Sequence, residues 1–245
     1  KSNHIPIIYL PLFMFNKKKI NLKQLIQSMR IQKERLTIQI FHFNPIQVNT
    51  LLAYDDSKEA VIIDPGNSTP AEDQKLADYI AQNQLTVKMV INTHPHIDHV
   101  VGNQFCVEYF KAPLCAHPAG EPIYKHSPGY GFTFGFMQTK YPPIDLELTD
   151  NQIIRWGNQE WKVLETFGHA DGSVCFYDEH NQLVIVGDVM FEGGIGRTDL
   201  PTGNYQLLLH NIHTQLLSLP DDTLVIPGHA GTTTIGEEKR SNPFL

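Results

Sequence analysis

Cysteine is scarce. The chain has three, Cys106, Cys115 and Cys175, an odd count with no CxxC spacing. That argues against a disulfide framework or a thiolate zinc site, and it suits a reducing compartment such as the cytoplasm. All three read as small buried apolar residues. Long apolar runs are missing as well. The one near the start, Ile5–Phe15, is broken by Pro6 and Pro11, whereas a membrane span needs about 20 residues. As a secretory leader it is poorly built, because the Lys17-Lys18-Lys19 cluster follows the apolar run and no small-residue cleavage site appears. Basic residues are in short supply too. With 19 Lys and Arg against 26 Asp and Glu, the net charge is −7, which argues against a general nucleic-acid binder.

What remains is an ordinary globular composition: 41% hydrophobic and 18% charged over 245 residues, enough for a sizeable core. The charge is unevenly spread. Residues 1–35 carry eight Lys or Arg and a single acid, Glu34, while the rest of the chain is strongly acidic. Residues 1–28 therefore read as an extension foreign to the body, or as a basic docking segment, and residues 29–245 as one domain. No linker, repeat or low-complexity segment interrupts that domain.

Beyond Leu36 strands and helices alternate. Apolar, β-prone runs separated by turns at Asn44-Pro45 and Asp55-Asp56 predict strands at Leu36–Phe43, Gln47–Tyr54 and Ala60–Asp64. Helical spacing predicts a helix over Pro70–Gln84, with Thr69 as N-cap. Val87–Asn92 reads as a buried strand, His99–Phe110 as a helix and Leu114–Ala116 as a short strand. Glycines 129, 131 and 135 with Pro142 and Pro143 predict an irregular stretch over 117–150. Strands return at Gln152–Trp156, Trp161–Thr166, Val174–Tyr177, Leu183–Val186 and Leu224–Ile226, with a helix over Asn204–Leu219. Two β-rich halves with accompanying helices imply sheets packed face to face with helices outside.

Histidine is where the sequence is rich. In Thr93-His94-Pro95-His96-Ile97-Asp98-His99 four metal-competent side chains fall within six residues, directly after a buried strand. Imidazoles with a carboxylate suit zinc, iron or manganese rather than calcium. Three further candidates, His169, Asp188 and His229, each follow a predicted strand and each has a glycine before it. A small residue there lets the backbone turn sharply toward an ion.

The series His94-x-His96-x-Asp98-His99, His169, Asp188 and His229 resembles the metal-binding signature of the metallo-β-lactamase fold superfamily. The resemblance implies a four-layer αββα sandwich with the site at one sheet edge. It implies His94, His96 and His169 on one ion, Asp98, His99 and His229 on a second, and Asp188 bridging them. It also implies two divalent ions, zinc first, with iron or manganese compatible, and it disfavours antibiotic hydrolysis. Within the superfamily, Gly187-Asp188-Val189-Met190-Phe191 and Gly194-Ile195-Gly196-Arg197-Thr198-Asp199-Leu200-Pro201 are similar to the glyoxalase II-like thioester hydrolases, in a short form without their C-terminal helical domain.

By that likeness Arg197 matches a basic residue contacting a glutathione carboxylate, though it could equally pair with Asp199. Asp64 resembles a carboxylate that supports the ligands from behind, or else serves an Asx turn before Pro65. The implied chemistry is attack on a thioester carbonyl by a water that two divalent ions acidify from a pKa of about 15.7 toward about 7, with Asp98 orienting it. The substrate would be a small thioester, with glutathione as the candidate thiol carrier. Alternatives within the superfamily are a mononuclear iron persulfide dioxygenase and a lactone or phosphodiester hydrolase. The aromatic stretch Tyr130, Phe132, Phe134, Phe136 and Met137 could line an acyl pocket or form a packed cluster.

Overall fold

The structure, a computed structural model, describes residues 30–131, 135–136 and 141–245, without the side chains of residues 128 and 130. The expected extension at 1–28 lies outside the described residues. The first sheet has seven strands in sequence order: β1 (Arg30–Gln32), β2 (Thr37–Phe43), β3 (Val48–Tyr54), β4 (Glu59–Ile63), β5 (Thr86–Ile91), β6 (Leu114–Ala116) and β7 (Leu146–Glu147). It is antiparallel through β4 and parallel from β4 to β7. The second sheet is built from β8 (Ile153–Trp156), β9 (Gln159–Glu165), β10 (Val174–Asp178), β11 (Leu183–Gly187), β14 (Leu224–Pro227) and β15 (Thr233–Thr234), in the order β15-β14-β11-β10-β9-β8. A small ribbon, β12 (Met190–Phe191) with β13 (Gly194–Ile195), stands apart.

Strand periodicity places each side chain in a layer. In β2, Ile38 and Ile40 face the second sheet, while Phe41 and Phe43 face the helices outside. In β10, Val174 and Phe176 point inward and Cys175 and Tyr177 outward. The central cluster joins both sheets, with Leu51, Val61 and Ile63 meeting Trp161, Val163 and Ile185. Leu76, Ile80 and Cys106 cover the outer face of the first sheet, and Leu208, Ile212 and Leu216 that of the second. The result is the helix–sheet–sheet–helix stack that the sequence implied. The cysteines are free and buried, as expected.

The two sheets are tied at both ends. At one end Val174 N donates to Thr93 O (2.8 Å) and Asn49 N to Gly228 O (2.7 Å). At the other, the Asp55 carboxylate accepts from Asn158 N (2.6 Å) and Gln159 Nε2 (3.2 Å).

Helix Pro70–Gln82 starts as expected. Thr69 Oγ1 accepts from Glu72 N, and Glu72 reaches back to Thr69 N, completing a capping box. Three expectations need correction. The helix expected over His99–Phe110 is two helices, Ile97–Val100 and Asn103–Phe110. The break is at Gly102, whose N–H donates to Pro65 O (2.7 Å) and where any Cβ would strike the Asn67 side chain. The stretch 117–150 is not wholly irregular, since Pro118–Gly120 forms a 3₁₀ turn and Glu121–Gly131 a helix. Pro122 lies in that helix's first turn, where its missing N–H costs nothing. Tertiary contacts hold the helix: Tyr124 is buried and its hydroxyl donates to Pro142 O (2.9 Å). Third, the helix expected over Asn204–Leu219 becomes a π-helix at Ile212–Leu216.

Candidate metal centre

Parallel strands end at a common edge, and their C-terminal ends supply the candidate ligands. β5 runs into Asn92, Thr93 and His94, and the turn that follows brings in His96, Asp98 and His99. β9 leads to the loop carrying His169, β11 to Asp188 and β14 to His229. The structure brings all seven together. The ligand atoms of His94, His96 and His169 lie within 4.8 Å of one another, as do those of Asp98, His99 and His229. His96 Nδ1 is 2.9 Å from His169 Nε2, and His99 Nε2 is 3.3 Å from His229 Nε2. Asp188 stands between the groups, with Oδ2 3.8 Å from His169 Nε2 and 3.7 Å from His229 Nε2. Its Oδ1 is 3.5 Å from His99 Nε2.

Packing enforces this convergence. Gly228 lies so close that a Cβ would strike Asp188 Oδ1 and come within 2.6 Å of His99 Cε1. Asn49 of β3 grips the His229 loop from the other sheet: its Nδ2 donates to Pro227 O (2.9 Å) and Ala230 O (3.0 Å).

Behind the ligands lies a second set of contacts. His169 Nδ1 donates to Arg197 O (2.8 Å), and His99 Nδ1 donates to Asp64 Oδ2 (2.9 Å). Asp64 also accepts from Thr93 N (2.7 Å) and Thr93 Oγ1 (2.6 Å). Its φ of 49° is unusual for a residue with a side chain, and the three donors to its carboxylate compensate that strain. Asp64 thus faces the ligands rather than only capping a turn.

Electrostatics divides the histidines. Burial pushes His94 well below its ordinary range, reinforced by the imidazoles around it. Burial and the charge of His169 likewise bring His96 down to about 4. For His99 burial also pushes down, but the carboxylates of Asp98, Asp188 and Asp64 outweigh it and hold the group well above the usual value. Burial would raise Asp98, yet His99 and the hydrogen bond from His229 lower it, so it stays ionised.

The residues present fit divalent ions. His94 Nε2 and Asp188 Oδ1 are buried and have no hydrogen-bond partner, an expense that a cation would remove. Imidazole nitrogen mixed with carboxylate oxygen is the donor set of zinc, iron and manganese.

Arg197 lies apart from the cluster. Its backbone touches His169, but its exposed guanidinium forms a bidentate pair with Asp199, Nε to Oδ1 and Nη2 to Oδ2, both at 2.7 Å. Of the aromatic stretch, Phe136 is buried against Gly131. Phe132, Phe134, Met137 and the side chain of Tyr130 lie outside the described residues.

Fold and donor set support a metal-dependent hydrolase, and the chain belongs to the Metallo-beta-lactamase superfamily, whose family profile matches residues 43–229. All seven candidate ligands fall within that span. Among individual proteins it is similar to hydroxyacylglutathione hydrolase GloC of Haemophilus influenzae, 37% identical over 221 residues that cover 86% of this chain and 98% of that protein. It is also similar to the BLEG-1 B3 metallo-beta-lactamase, with a TM-score of 0.78 and 36% identity, covering 85% and 99% of the two chains. A third likeness is to TTHA1623 in a di-iron-bound form, with a TM-score of 0.74 and 34% identity, covering 84% and 99%. A protein described as a β-lactamase at this level of identity means that overall likeness does not separate thioesters from lactams. Among the described residues no helix is long and apolar enough to cross a membrane.

Proposed function

We propose that the protein is a dinuclear hydrolase of small thioesters of the hydroxyacylglutathione type. The observation that carries the dinuclear part is Asp188, whose carboxylate reaches toward both histidine groups. Likeness to GloC over nearly the full length of that protein favours a thioester. His94, His96 and His169 would hold one ion, Asp98, His99 and His229 the other, with Asp188 shared. Divalent ions so held would supply a water acidic enough to attack at neutral pH and a Lewis acid for the carbonyl. Zinc is the ion proposed, and iron fits the same donors.

The remaining work belongs to the chain. Asp98, ionised, accepts a hydrogen bond from the attacking water and aims it at the carbonyl carbon. Arg197 O, by accepting from His169 Nδ1, leaves Nε2 of that ring bare toward the pocket. The Arg197 guanidinium offers its unused N–H groups to a carboxylate on the thiol half of the substrate.

Metal analysis with two assays tests this reading. About two ions per chain, with thiol released from S-D-lactoylglutathione and lost on chelation, is the expected result. One iron per chain with oxygen consumed on glutathione persulfide would replace the proposal with a dioxygenase. Lactam, lactone or phosphodiester turnover without thiol release would remove the thioester.

A further inference from the structure

Thr93 has no part in the chemistry above, yet it sits between Asp64 and His94. The Asp64 carboxylate receives three donors: Thr93 N at Oδ1, and Thr93 Oγ1 and His99 Nδ1 both at Oδ2. A hydroxyl has one proton to give. Since Thr93 Oγ1 lies 2.6 Å from Asp64 Oδ2, that proton is committed to the carboxylate. The second neighbour of Oγ1, His94 Nδ1 at 3.0 Å, must then be the donor. His94 therefore carries its proton on Nδ1, leaving Nε2 bare, and Nε2 is the buried atom without a partner. The same carboxylate takes the Nδ1 proton of His99 directly, which turns Nε2 of that ring toward Asp98, Asp188 and His229.

We infer that Thr93 is a positioning residue: its hydroxyl passes the pull of the Asp64 carboxylate to His94, so one buried acid sets the tautomer of His94 and the orientation of His99 together. Each of the two proposed ion sites holds one of these imidazoles, and here the inference rests on the ligand allocation proposed above. Asp64, Thr93, His94 and His99 are all buried, between 0% and 2% exposed, so water does not compete for these bonds. Asp64, His94 and His99 also present ligand atoms within 4.8 Å of one another. Its three donors occupy it, so it serves as the acceptor behind the rings rather than as an eighth ligand.

The test compares zinc binding and imidazole tautomers in the wild type, Thr93→Val and Thr93→Ser. Valine keeps the shape and loses the hydroxyl, whereas serine keeps the hydroxyl. Zinc titrations against a competing chelator should show one of the two ions bound about 10- to 100-fold more weakly in Thr93→Val, with the other unchanged, and near-normal binding in Thr93→Ser. Nitrogen-15 shifts of the metal-free protein should place the His94 proton on Nδ1 in the wild type and in Thr93→Ser, but spread over both nitrogens in Thr93→Val. Asp64→Asn should weaken both ions. Wild-type affinities and an unchanged tautomer in Thr93→Val overturn the inference, as does equal weakening in Thr93→Ser, which would assign the effect to shape. A wild type that binds fewer than two ions instead overturns the ligand allocation, and the tautomer measurement still judges Thr93 alone.

Discussion

Arg197 illustrates what a single residue can and cannot do here. Its bidentate partner Asp199 uses two of its N–H groups and leaves the others facing outward. Because the pair is exposed, it contributes little to stability, and the side chain is available for binding. Replacing Arg197 with alanine is expected to raise KM for a glutathione thioester by about tenfold, the effect of losing one charge-assisted hydrogen bond, with kcat nearly unchanged. Steady-state kinetics check this, and an unchanged KM removes the binding role. The seven ligand candidates were legible one by one, because each stands in a short local pattern at a strand end. Asn49 was not. Its partners Pro227 and Ala230 are 178 and 181 residues away, and no local pattern marks an asparagine for such a grip. Thr93 stood in plain view beside His94, yet its function depends on Asp64, 29 residues earlier.

Among the elements, helix Pro70–Gln82 shows where local sequence suffices. Glu72 accepts from Asn44 N (2.7 Å), Ser68 N (2.8 Å) and Thr69 N (3.1 Å). Burial would raise its carboxyl, but the bonds from Ser68 and Asn44 outweigh it and the group sits below its ordinary range. A depressed native pKa adds stability above the unfolded pKa and loses it as pH falls through the native one. Glu72→Gln should therefore cost about 1 kcal/mol near neutrality, and the gap from wild type should close as the solution is acidified below the ordinary carboxylate range. Urea unfolding at a series of pH values measures both. Elements that depend on distant contacts were harder to read. Glu121–Gly131 contains two glycines and two prolines, and it is held by tertiary contacts such as those of buried Tyr124 and Ser127. Gly102 broke the neighbouring helix because the loop at Pro65–Asn67 presses against it, a contact that periodicity along the helix does not encode.

At the scale of the whole molecule, the stacking of two sheets was readable because the chain has two β-rich halves, each accompanied by helices. The pairing order was not, since each parallel pair is joined through an intervening helix. Trp161 is the largest side chain fully buried between the sheets; its ring meets Trp156 edge-on at 5.3 Å and its Nε1 donates to Asp178 Oδ2 (2.9 Å). Trp161→Ala should lower stability by about 3–5 kcal/mol, read as a lower urea midpoint. A smaller loss would show that the two faces collapse to fill the gap.

The candidate ligands are shared between the layers: His94, His96, Asp98 and His99 hang from the first sheet, and His169, Asp188 and His229 from the second. A cation gripped by both sets would act as a rivet through the sandwich. Whatever free energy its capture releases would then also resist the parting of the two leaves, making reactivity and endurance properties of the same few atoms.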